Sequence, residues 1–156
     1  YGFFAAIYVA GDLHITGSGA LTVQSSSDNS NSTSIGIWLV GGLSIDTTEK
    51  AVINIYGGVD GPDCTSTKVK EAVGIRASRV SITNAAVNVY GYHHAIQTYS
   101  GGTMKLTNSK GNAVSSTATD CSALHSLDSN YPLKTSVNKC KFTKQLTSNY
   151  TWIRSK

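Results

Sequence analysis

Nine carboxylates, four histidines and three cysteines are the side chains of this 156-residue chain that could act as acids, bases, ligands or nucleophiles. Cleaving a glycosidic bond takes two carboxylates placed across it, and calcium-assisted sugar chemistry takes a carboxylate cluster with a base. The spacing here supplies neither. Asp12 and Asp46 fall at turns, Asp28 lies in a Ser/Asn loop, and Glu49 and Glu71 sit beside lysines. Asp60-Gly61-Pro62-Asp63 has two carboxylates that could ligate calcium, but the same four residues read as an ordinary turn. His14 points outward in line with Ser44, Ser81 and Lys105, and His93-His94 occupies a corner; neither has an orienting acid in the sequence. A Gly-x-Ser-x-Gly elbow and a P-loop are absent. No catalytic residue, metal site or cofactor is therefore assigned, and the chain reads as non-catalytic.

A different chemistry is open to the outward aromatic and planar polar side chains. Tyr8, Trp38, Arg76 and Gln97 recur at the same place in successive repeats. Stacked on one exposed face, they would suit a sugar chain: pyranose faces lie on rings, and hydroxyls take hydrogen bonds from Arg and Gln. The same row reads equally well as a covering that shields a sheet. Gln24, Tyr56 and Tyr90 form a second row for which the covering role is favoured.

Positioning such rows requires a repeat. Gly11–Thr16, Gly42–Asp46, Arg79–Asn84 and Thr103–Asn108 each alternate apolar and polar residues and close on a polar turn, the signature of half-buried strands. A leading strand precedes each one, with Ile7, Ile37, Ile75 and Ile96 in register 30, 38 and 21 residues apart. A third strand follows in three units: Leu21–Gln24, Ile53–Tyr56 and Val87–Tyr90. One such unit cannot bury its own inward face, whereas stacked units bury a continuous column. The expected fold is all-β, a parallel β-helix of about four coils over residues 1–117, preferred to an antiparallel sandwich. Glycines 11, 41, 42, 57, 58, 91, 101 and 102 are expected at corners needing positive φ.

The repeat fades after residue 117, and residues 118–156 read as a basic C-terminal cap. Ser136–Thr143 and Tyr150–Arg154 are expected to form a hairpin with Cys140, Phe142 and Trp152 inward. Residues 1–117 hold seven basic and seven acidic side chains, so the net charge of +4 comes from the tail, with six basic and two acidic. That distribution does not suit nucleic acid, but it suits an acidic surface or partner. No apolar run is long enough to span a bilayer. Among Cys64, Cys121 and Cys140, the two flanking the cap are the expected disulfide, Cys121–Cys140, which would contribute about 3 kcal/mol in an oxidising compartment. The chain begins at an apolar Phe3-Phe4-Ala5-Ala6 run in mid-coil and lacks an initiator Met. It is expected to be a piece of a longer protein, with further coils, or copies of itself, meeting the N-terminal end.

The stretch Ala6-Ile7-Tyr8-Val9-Ala10-Gly11-Asp12-Leu13-His14-Ile15-Thr16-Gly17-Ser18-Gly19-Ala20-Leu21-Thr22-Val23, with the later Gly74-Ile75 and Ser81-Ile82-Thr83-Asn84, resembles the repeat of bacterial carbohydrate-binding domain-containing surface proteins. The resemblance covers roughly residues 5–117; the tail does not share it. It implies a right-handed β-helix, secretion to the cell exterior or surface, and no catalytic motif. The expected function is an extracellular module that binds a polysaccharide or glycan, or adheres, through Tyr8, Trp38, Arg76 and Gln97. The alternatives are a structural spacer in a surface stalk or filament and a fragment of a polysaccharide lyase or hydrolase.

Overall fold

Alternating apolar residues bounded by Gly, Asn and Ser turns yield fourteen strands and no helix among the described residues. The computed structural model describes residues 2–26, 29–65 and 67–155. In chain order the strands are β1 (Phe3–Val9), β2 (Leu13–Ile15), β3 (Ala20–Ser25), β4 (Thr33–Leu39), β5 (Gly42–Asp46), β6 (Val52–Gly57) and β7 (Glu71–Thr83). They continue as β8 (Ala86–Gly91), β9 (His94–Thr107), β10 (Lys110–Val114), β11 (Leu124–Ser126), β12 (Lys134–Asn138), β13 (Cys140–Lys144) and β14 (Tyr150–Arg154).

These strands form two sheets, not the expected right-handed parallel β-helix of about four coils with a separate cap. The first sheet has eight strands and the second six, in the order β13-β14-β10-β8-β6-β3. The eight-stranded sheet pairs in parallel throughout, but the six-stranded one is mixed: β14 runs antiparallel to both β10 and β13. The expectation fails at the turn between each leading strand and its successor. β4 and β5 both pair with β7, and in β7 and β9 the two strands are continuous. Leading and following strands thus share one sheet, so the three-sided coil does not form. The strands of the tail join the same two sheets, with β11 and β12 extending the first beside β9 and β13 and β14 extending the second.

Register within the sheets follows the repeat. Ile7 pairs with Ile37, Ile37 with Ile75 and Ile75 with Ile96, all in parallel. Ile37, Ile75 and Ile96 are fully buried, and they share a core with Ile55, Val87 and Val89 of the second sheet. The inner faces of the two sheets are therefore one apolar layer, the arrangement that removes most apolar area from water. The hairpin expected in the tail is present in part as β13–β14: Ser136–Asn138 lies instead in β12 beside β9, while Trp152 is buried and Phe142 packs against the core.

The glycines serve close approach more than reversed backbone. Of the eight expected at positive φ, Gly58 (63°) and Gly101 (67°) adopt it. Gly57 and Gly91, paired across β6 and β8, lie against the backbone of the neighbouring sheet instead. At the other end, β1, β2 and β3 each have only one paired edge among the described residues. Phe3, Phe4 and Leu21 on these strands are exposed.

Candidate functional site

One residue beyond the buried isoleucines, alternation turns the next side chain to the outer face of the first sheet. That outer row is Tyr8, Trp38, Arg76 and Gln97, in register as the repeat requires, and His125 of β11 continues it. The two halves of the row differ. Tyr8 is 56% exposed and Trp38 half-buried, whereas Arg76 is 7% and Gln97 1% exposed. Arg76 and Gln97 therefore do not lie on an open sugar-binding face, contrary to their expected role.

Their burial has two causes. Glu71, at the start of β7, puts its carboxylate 2.7 Å from the Arg76 guanidinium. Arg76 Nε donates to Gln97 Oε1 at 2.5 Å, and Gln97 Nε2 donates back to Glu71 Oε1 at 3.2 Å, which closes a three-membered network. The second cause is Tyr99. Between Thr98 and Thr103, β9 has four residues where β7 has only Ser78, and the excess bulges out. From that bulge Tyr99 reaches across β7 to β4. Its hydroxyl accepts a hydrogen bond from Trp38 Nε1 at 3.0 Å and donates one to the Leu39 carbonyl at 3.0 Å. The sequence placed Glu71 beside lysines without a role and gave none to Tyr99. The signal for Tyr99 was the Gly101-Gly102 pair that interrupts the strand.

Electrostatics follow from this packing. Burial raises the Glu71 carboxyl, but the hydrogen bond and charge of Arg76, with the Gln97 amide, outweigh it and hold the group below its ordinary value. Burial lowers His94 to about 4, helped by the neighbouring His125 ring, which stacks on it at 4.0 Å and 7°. Burial also lowers His93 and His125. His93 Nδ1 accepts the Ala72 N–H at 3.0 Å, which places the ring proton of neutral His93 on Nε2. The cluster thus holds an ionised carboxylate, committed to Arg76, beside histidines kept neutral. Such an arrangement fixes side chains in place and leaves no base poised on an open substrate position.

The solvent-facing end of the row is aromatic. Tyr8 and Trp38 meet edge to face with centroids 5.1 Å apart, and Phe3 lies 5.5 Å from Trp38. Phe3, 59% exposed, was not part of the expected row. In the second row Tyr56 and Tyr90 stack at 4.9 Å and 12°, half-buried, with Gln24 in register. Beside it runs an asparagine ladder: Asn112 Nδ2 donates to Asn88 Oδ1 at 3.0 Å, and Asn88 Nδ2 to Asn54 Oδ1 at 2.9 Å. The matching Asn54 and Asn88 of the repeat carried that signal.

The other candidates disperse. Among the described residues no three of His, Cys, Asp and Glu gather to hold a metal. Asp60 and Asp63 belong to a surface turn in which the Thr65 hydroxyl donates to Asp63. Asp28 lies outside the described residues. Cys64, Cys121 and Cys140 are all free thiols, so Cys121 and Cys140 are not joined. Cys140 is buried against Ser109, whose N–H points at its sulfur at 3.2 Å, and burial pushes Cys64 up to about 12.

No family model matches this chain, and no curated protein or solved structure matches it either.

Proposed function

We propose that this chain is a non-catalytic module that binds a polysaccharide or glycan at the cell exterior, with Trp38 at the centre of its contact surface. The observation that carries the reading is the Phe3–Tyr8–Trp38 ring cluster, which presents apolar area to solvent on a sheet whose core is already satisfied. Rings of this kind match the apolar faces of sugars. Tyr99 anchors the indole through its N–H, so the ring is ordered before a ligand arrives and little entropy remains to be lost on binding. Arg76 and Gln97 support the platform from the next strands and do not touch the ligand. The likeness of residues 5–117 to surface carbohydrate-binding repeats points the same way.

The test is a glycan-array screen followed by titration of the best ligand. Trp38→Ala should weaken binding at least tenfold, about 1.4 kcal/mol, while Tyr56→Ala on the other sheet leaves affinity unchanged. Equal binding by Trp38→Ala and the parent sinks this reading.

A second reading, a spacer in a surface stalk or filament, is favoured by the bare edges of β1, β2 and β3. Exposed strand edges recruit further strands. Under that reading the chain associates with itself as concentration rises, and no glycan competes.

A further inference from the structure

The eight-stranded sheet carries a second surface feature beyond the ring platform. A groove of about 350 Å³ opens on its outer face, where β2, β5, β7 and β9 lie side by side. Its floor is the row His14, Ser44, Ser81 and Lys105, in register across those strands. Its wall is built by a glycine. A Cβ at Gly42 would lie 2.5 Å from the Arg79 side chain, so only glycine lets Arg79 cross β5 and reach Asp12. There the guanidinium meets Asp12 Oδ2 at 2.8 Å, while Asp12 Oδ1 accepts the Gly42 N–H at 2.6 Å. That backbone hydrogen bond, with the charge of Arg79, holds the Asp12 carboxyl below its ordinary value although burial opposes them.

Charge in this region is mostly positive. Gly42, Arg79, Thr103 and Lys134 form the adjoining row, so Arg79, Lys105 and Lys134 stand on three successive strands, all exposed. Asp12 is the one carboxylate lining the groove, and it is already paired with Arg79. Among the described residues no carboxylate pairs with Lys105 or Lys134. Neighbouring strands lie about 4.8 Å apart, close to the length of one sugar residue. The groove thus offers one unpaired cation, Lys105, with Lys134 on the strand beside it, three hydroxyls from Ser44, Ser81 and Thr103, and one fixed carboxylate acceptor. Cations alone would suit any polyanion; hydroxyls and a fixed acceptor beside them suit a ligand with both acidic and hydroxyl groups.

We infer that this groove binds an acidic saccharide, with its carboxylate or sulfate on Lys105 and Lys134 and its hydroxyls on Ser44, Ser81 and Asp12. The inference rests on the glycan-binding reading above and narrows its ligand to an anionic sugar chain.

The experiment is calorimetric titration of the intact chain with hexagalacturonate, a neutral hexasaccharide, the same hexasaccharide sulfated, and a single-stranded DNA hexanucleotide. The acidic saccharides should bind at least tenfold more tightly than the neutral one, and the preference should shrink with added salt. Tighter binding of the uronate or of the sulfated sugar tells carboxylate from sulfate. Lys105→Glu should remove most of that preference, and Ser81→Ala should weaken the saccharides but not the DNA. Both side chains are on the outer face, and thermal melts confirm that the variants fold. Equal binding of neutral and acidic sugars, unmoved by Lys105→Glu, overturns this inference and leaves the Trp38 platform standing. DNA binding as tight as the saccharides also overturns it. If no saccharide binds, both readings fall.

Discussion

Arg76 and Glu71 are joined at 2.7 Å with Arg76 nearly sealed from water, and this pairing decides what each can do. A buried ion pair is weak evidence of net stabilisation, but breaking one by removing a partner leaves an uncompensated charge. Arg76→Ala should therefore destabilise the chain by about 3 kcal/mol or more, read from a denaturant midpoint. It should not alter glycan contact at Trp38 beyond what the melt explains. The histidines give a pH dependence with a definite sign. His94 has a folded value of about 4 against an ordinary 6.5, so between those values the unfolded chain takes up a proton that the folded chain refuses. Stability is therefore lost as pH falls from 6.5 towards 4. Glu71, whose carboxyl is depressed, contributes stability above its ordinary 4.5 that disappears as pH drops through its lowered value. Melting temperature followed from pH 7 to 3 should show both losses, and His94→Gln should flatten the upper one.

At the scale of elements, the approach of the two sheets rests on the glycines that end β6 and β8. A Cβ on Gly57 would lie 1.7 Å from the Val73 carbonyl oxygen, and one on Gly91 2.1 Å from that of His94. Both obstacles are backbone, which cannot rotate away as a side chain can. Gly57→Ala should cost at least about 2 kcal/mol, since the sheets must part to admit the methyl group. Gly61→Ala is the control, because nothing lies within 4 Å of its added carbon. Equal chemical-denaturation midpoints for the two variants would show that the sheets yield more easily than this packing implies. The asparagine ladder acts on the same scale, tying β6, β8 and β10 through side-chain amides as well as backbone.

For the whole molecule, the two ends of the core are treated differently. At the β13–β14 end Trp152 closes it, 1% exposed and packed beside Phe142. At the β1–β3 end Ile7, Val9, Leu13 and Ile15 pack on the core but stay partly open to solvent. Trp152→Ala should cost about 3–5 kcal/mol by opening a cavity at the closed end. Trp152→Phe should cost much less, because the indole N–H has no hydrogen-bond partner among the described residues and its removal relieves a buried unsatisfied donor. Thermal melts of the pair give the comparison; equal losses would mean that the indole N–H, absent from both variants, and not ring volume governs this end.

The sequence alone determined which residues point inward and how neighbouring repeats align. Side chains on a strand alternate with period 2, so a one-residue slip would turn Ile37 or Ile75 out to water, and burial leaves only one register. The same logic made the pairing of Cys140–Thr143 with β14 and the alignment of His14, Ser44, Ser81 and Lys105 legible, but not the break that sends Ser136–Asn138 to the first sheet. Which strands share a sheet was not legible, because it depends on whether the chain turns or runs on between two alternating segments. β4 and β5 are separated at Val40-Gly41, while β7 runs through Ser78 without a break, and alternation looks much the same in both. Exposure of the outer row was equally a tertiary matter. Trp38 and Arg76 occupy the same repeat position, yet Glu71, five residues back, and Tyr99, from the bulge of β9, sealed one side chain and left the other half open. Local pattern sets direction; the neighbours brought in by pairing across 20 to 40 residues set what each side chain meets, and only the folded chain contains them.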